Sequence, residues 1–181
     1  MSKDKFIEIY KKLIKREGAD KLLEWLEKSD FFTAPASTRF HGSEEGGLVK
    51  HSINVYERLK VINGENETTA ICGLLHDLCK VNYYSIEMRN VKEKGVWIQK
   101  PFYTVNDTLP YGHGEKSVYI ISGFMKLNRD EAMAINWHMG GFDYRGQSPA
   151  LTVAFEQYSL ALNLHIADMQ ATYLDETKGD N

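Results

Sequence analysis

Residues 73–80, Gly-Leu-Leu-His-Asp-Leu-Cys-Lys (GLLHDLCK), set an imidazole and a carboxylate side by side in an apolar, helix-patterned segment. A buried polar group without a partner costs on the order of 1–3 kcal/mol, and a buried charge more. His76 and Asp77 therefore need partners from elsewhere in the chain. Working outward, two other segments have the same character. Upstream, GGLVKHSINV (46–55) puts His51 on a helical face with Leu48 and Val55; downstream, LHIADMQAT (164–172) puts Asp168 on a face with Leu164 and Ala171. Between them lie His113 in LPYGHGEKS (109–117) and His138 in INWHMGG (135–141). Taken singly, His51 reads as a hydrogen-bonded core residue and His113 as a surface loop residue. Taken together, the six side chains would all be satisfied by a shared divalent cation. Adjacent helical residues point about 100° apart. His76 and Asp77 can thus both reach metal only at a helix edge, or if Asp77 bridges two ions.

The rest of the chain frames this series. Its 181 residues fit one domain with a real core, and 43% hydrophobic with 26% charged residues is an ordinary globular balance. A net charge of −3 disfavours broad nucleic-acid or anionic-membrane binding and leaves room for a local basic pocket. No apolar run approaches the roughly 20 residues that span a bilayer. The charged N-terminus, MSKDKFIEIYKK, lacks the core of a signal peptide. Cys72 and Cys79, seven apart on one expected helix, would sit roughly 10 Å apart along its axis. That is too far for a disulfide, so two reduced thiols and a cytoplasmic setting are expected.

Apolar periodicity predicts two helices in residues 1–30, packed on the core and separated near Gly18. Residues 31–47 read as loop. Helices are expected at about 48–62, 67–80, 115–126 and 129–139, the last capped by Asn128. Ser148-Pro149 reads as the start of one long final helix running to about Leu174, followed by a frayed tail. Residues 82–105 break the pattern: two β-branched and aromatic runs flank Glu93-Lys94-Gly95 and predict an inserted β-hairpin, with Pro101 favouring an edge strand. The expected architecture is all-α with one small hairpin.

At this point the chain resembles the HD-domain phosphohydrolase superfamily, whose signature is a histidine, a His-Asp doublet and a distant aspartate. His51, His76-Asp77 and Asp168 match in order, and GLLHDLCK matches the HDxxK form closely. The resemblance covers roughly residues 38–175 and implies a helical bundle with metal held between helices. It implies that His51, His76, Asp77 and Asp168 hold one ion, while Asp77 bridges to a second held by His113 and His138. The cyclic-dinucleotide branch carries a His-His pair where this chain has His138-Met139, and a GYP motif that is absent here. Enzymes cleaving dinucleoside polyphosphates are more similar. So is the HD domain of a bacterial 3′→5′ exoribonuclease, which shares the pattern of residues 31–51 but carries an OB domain ahead of it.

A nitrogen and oxygen donor set without thiolate suits Fe, Mn, Ni, Co or Zn, with Mg also admitted, as one ion or two. The resemblance implies hydrolysis of a nucleotide or related small phosphate ester by metal-activated water, with Asp77 and Lys80 as the catalytic candidates. A 3′→5′ nuclease-type phosphodiesterase and a non-catalytic nucleotide- or metal-binding module are the alternatives. Lys80 reads either as a phosphate-binding cation or as a solvated helix-end lysine; Lys116 reads either as a phosphate contact or as a helix-capping charge. Arg39 and His41 face either substrate or solvent from their loop. His165, three residues before Asp168, reads as packing around the site. The hairpin aromatics (Tyr83, Tyr84, Trp97, Phe102, Tyr103) either wall a base-stacking surface or pack the hairpin onto the body.

Overall fold

A computed structural model describes residues 2–38 and 42–176. Eight α-helices and one two-stranded antiparallel hairpin make up the regular structure among them. Helices α1 (Ser2–Leu13) and α2 (Ala19–Lys28) lead, and the long α3 (Gly47–Asn63) and α4 (Glu67–Leu75) follow the loop. The hairpin strands are β1 (Tyr84–Glu93) and β2 (Val96–Val105). Helices α5 (His113–Ser122), α6 (Arg129–Trp137), α7 (Pro149–Gln157) and α8 (Ser159–Gln170) complete the order. One hydrophobic cluster runs from Phe6 to Ala171 and includes Leu48, Val55, Leu74, Leu75, Ile135 and Leu164. Within it α3 packs on α4 and α8, and α6 packs on α5 and α8.

Local chemistry sets several boundaries. Asn66 accepts a hydrogen bond from the Thr69 amide at the start of α4, and Asn128 forms a capping box with Glu131 at the start of α6. Ser148 accepts from Ala150, with Pro149 in the first turn of α7. The hairpin turns through Lys94 (φ 48) and Gly95 (φ 87), both left-handed, as a two-residue turn requires. Pro101 faces Met88. Counting back from the turn pair Glu93–Val96, this is a position where facing residues exchange no hydrogen bonds, so the missing N–H goes unmissed.

Three expectations need correction. The helix expected over 67–80 stops at Leu75, and after Asp77 (φ −103, ψ 22) a separate 3₁₀ turn, Leu78–Lys80, begins. Cys72 and Cys79 are thus on different elements, although both are free and buried. The single final helix is two helices broken at Tyr158 (φ −125, ψ 87), followed by a π-helical turn at Ala171–Asp175. The apolar pattern runs unbroken through both breaks, so periodicity could not locate them. Finally, the start of the tail is not frayed: Asp175 pairs with Arg58, and Glu176 is buried. Residues 177–181 lie outside the described residues.

Candidate metal centre

Five elements deliver the donor side chains to one point. His51 lies in the first turns of α3, Asp168 near the end of α8, and His113 at the first residue of α5. His76 and His138 immediately follow the last residues of α4 and α6. The last carbonyls of a helix have no partner within it, and each of these histidines uses one. His76 Nδ1 donates to the Gly73 carbonyl (2.9 Å), and His138 Nδ1 donates to the Ile135 carbonyl (2.7 Å). These bonds fix the tautomer and aim both Nε2 atoms inward. Two helix C-termini, the negative ends of their dipoles, are thereby turned toward a site suited to cations.

Asp77 sits between two donor groups. Its Oδ2 is 3.6 Å from His51 Nε2 and 3.7 Å from His76 Nε2, while its Oδ1 is 2.7 Å from His113 Nε2 and 3.5 Å from His138 Nε2. His51 Nε2 is also 3.3 Å from His76 Nε2 and 3.2 Å from Asp168 Oδ1. Donor atoms of His51, His76 and Asp77 lie mutually within reach of one ion, as do those of His76, His138 and Asp168, and those of Asp77, His113 and His138. The residues fit a divalent cation on one further observation: His138 Nε2 is buried, faces this cluster and makes no hydrogen bond. A lone pair left so would be costly, and a metal ion satisfies it.

Electrostatics of the side chains alone favour the same conclusion. Burial pushes the His76 imidazole down to about 3. Burial also opposes charge on His51, but with no cation beside it the hydrogen bonds to Asp168 and Glu176 more than offset this and hold it up to about 10; the Nε2 proton then occupies the place a cation would take, since only the deprotonated nitrogen binds metal. For Asp77, burial is outweighed by the positive charge of Lys80 and by the surrounding histidines, which keep its carboxyl well below the ordinary value. Asp168 is likewise lowered, against its burial, chiefly by His51. A buried carboxylate, Asp77, and a half-buried one, Asp168, both held ionised, draw positive charge to this point.

The other expected site residues divide. Lys80 is half-buried beside the cluster with Nζ 2.6 Å from Asp77 Oδ2, so it is an ion-paired lysine of the site rather than a solvated one. Residues three apart are eclipsed in a 3₁₀ turn, which aligns the pair closely. Lys116 is buried, pairs with Asp107 and lies over the Tyr83 ring; it braces the loop before α5. His165 donates from Nδ1 to the His138 carbonyl (2.7 Å) and supports that turn. Tyr84 donates to the Ala36 carbonyl at the hairpin base, whereas Trp97 near the tip is exposed. Arg39 and His41 lie outside the described residues. Sequence reasoning missed Glu176, 3.1 Å from His51 Nδ1, and Cys79, whose Sγ is 3.4 Å from His113 Nε2. Glu176 sits in a polar tail that carries no periodic signal.

No described helix is long and apolar enough to cross a membrane. Comparison with curated proteins and with solved structures returns no match. The family model for the HD domain matches residues 48–175, a span that contains all six donors and more than half of the chain. The chain therefore belongs to the HD-domain family, within a superfamily of metal-dependent hydrolases that bind divalent cations.

Proposed function

We propose that this protein is a phosphohydrolase acting on a nucleotide or related small phosphate ester, with His51, His76, Asp77 and Asp168 holding one ion and Asp77, His113 and His138 a second. The observation that carries the two-ion reading is the division of Asp77: each carboxylate oxygen faces its own set of imidazoles. A bound divalent cation of this kind acidifies water and polarises a phosphoryl oxygen.

The chain's own residues do the rest. The backbone carbonyls of Gly73 and Ile135 hold the protons of His76 and His138 on Nδ1, so both rings meet the site with an unprotonated nitrogen. Burial of His51, His76, Asp77 and His138 keeps the donor atoms from rotating into water. Lys80 supplies a fixed positive charge. Burial opposes its charge, but Asp77 outweighs this and raises it above the ordinary lysine value. An ammonium held there is placed to bind a phosphoryl oxygen and stabilise charge that builds on it in the transition state. The acidic balance favours small substrates over polymers, and the two free thiols accord with a cytoplasmic setting.

The test is elemental analysis of protein purified without chelator, followed by phosphate release from mononucleotides, dinucleoside polyphosphates and short oligonucleotides. About two transition-metal ions per chain and turnover of the small substrates are expected. His113→Ala should lose one ion of the two. A normally metallated protein that hydrolyses none of these esters would overturn the proposal; preference for oligonucleotides would reassign it as a nuclease.

A further inference from the structure

Three residues at one face of α3 grip the end of the described chain. His51, Asn54 and Arg58 are spaced i, i+3 and i+7, so they share a helical stripe. Arg58 Nε donates to Asp175 Oδ2 (2.8 Å), and its second nitrogen contacts the other oxygen. Asn54 Nδ2 donates to Glu176 Oε1 (2.9 Å). Both Glu176 oxygens lie 3.1 Å from His51 Nδ1, and the glutamate is only 8% exposed. Glu176 falls one residue beyond the stretch matched by the family model.

The π turn explains how Glu176 gets there. In an unbroken α-helix, a residue eight positions after Asp168 would lie about 80° away around the axis. The i→i+5 turn over Ala171–Asp175 rotates less per residue. It brings Glu176 back toward the Asp168 side, where His51 stands between the two carboxylates.

We infer that Glu176 is a positioning residue for His51. Both carboxylate oxygens face the one ring nitrogen and accept from it, so at this contact His51 Nδ1 donates. Its proton is then held on the outer nitrogen, and Nε2 is presented to Asp77, Asp168 and His76. His76 and His138 have backbone carbonyls for this purpose. His51, early in its helix, takes a side chain from the other end of the chain. The inference rests on the reading that His51 holds a divalent cation, so its test separates the two.

Full-length protein, stripped of metal, is titrated with Co²⁺ by calorimetry as wild type, Glu176→Ala, Glu176→Gln and His51→Ala. The Zn²⁺-loaded forms are compared by ¹⁵N NMR of the imidazole nitrogens. Loss of Glu176 should raise the Co²⁺ Kd by about 10–100-fold and move the His51 Nδ1 resonance away from its protonated position. Glu176→Gln, whose amide oxygen can still accept from Nδ1, should recover most of the affinity and the wild-type resonance. If His51→Ala weakens Co²⁺ and Glu176→Ala does not, the positioning role is wrong. Equal weakening in the Ala and Gln variants with unchanged His51 resonances would reduce Glu176 to a tether. If His51→Ala itself binds Co²⁺ like wild type, it is the metal reading of His51 that fails.

Discussion

Gly73 is where two parts of the candidate site are set against each other, and replacing it with alanine tests that directly. A Cβ at Gly73 would lie 2.5 Å from Tyr56 Cα and 2.9 Å from Tyr56 Cβ, at the crossing of α4 on α3. Carbon atoms in contact sit roughly 3.5–4.0 Å apart, so α4 must retreat from α3 by on the order of 1 Å. Overpacking of this kind costs about 1–3 kcal/mol. Alanine in a helix interior returns about 0.5–1 kcal/mol relative to glycine. The net loss is about 0–2.5 kcal/mol, which for a chain of this length lowers Tm by less than about 10 °C. The effect on the site should be larger than the effect on the fold. His76 follows Gly73 by three residues, is hydrogen-bonded to its carbonyl and sits 3.3 Å from His51 on the other helix. A retreat of α4 carries His76 away from His51, and displacing a donor this way should weaken metal at least as much as losing an outer-sphere partner, about tenfold or more. Calorimetric titration of stripped Gly73→Ala with Co²⁺, alongside its melting curve, gives both numbers. A Co²⁺ Kd within about twofold of wild type would refute the claim that the α3–α4 contact sets the donor spacing.

Two further perturbations address charge. Lys80→Met should lower kcat/KM for phosphate esters by about 10²–10³ while leaving metal content unchanged, as expected for a group that stabilises developing charge; loss of metal instead would make Lys80 a support for Asp77. Away from the site, Glu131 is fully buried, receives Arg16 through both oxygens and closes the capping box of α6. Burial raises its carboxyl, but the hydrogen bonds from Arg16, the Asn128 amide and Thr68 prevail and hold it below the ordinary value. A carboxyl held down contributes stability that is complete above its unfolded pKa and is lost as pH falls through the folded value. Glu131→Gln should therefore cost about 1.5–3 kcal/mol at pH 7, and the gap to wild type should close below about pH 4. Urea denaturation at both pH values measures it, and a gap independent of pH would exclude the ionic contribution.

Much of the architecture was legible because it depends on neighbours in sequence. Asn128 and Ser148-Pro149 mark helix starts by satisfying nearby amides, and Lys94-Gly95 marks a hairpin by the left-handed backbone it must adopt. His51, His76, Asp77 and Asp168 stood out for a related reason: imidazoles and carboxylates within apolar patterns need a partner whatever the fold. His113 and His138 were legible only through the family resemblance.

Which partner each one finds was decided only in three dimensions. Helical patterning runs on past His76-Asp77, yet α4 ends at Leu75 and a 3₁₀ turn begins at Leu78. Lys116 found Asp107 rather than an open pocket. Glu176 reached His51 across 125 positions of sequence. The amino-acid sequence by itself determined the helical class and the hairpin and singled out the candidate donors, since periodicity and the cost of burying polar groups act locally. The division of Asp77 between two sets of imidazoles and the use of Glu176 came from tertiary packing, because hydrogen bonds and ion pairs form over a few ångströms of space and carry no signature in the spacing of residues along the chain.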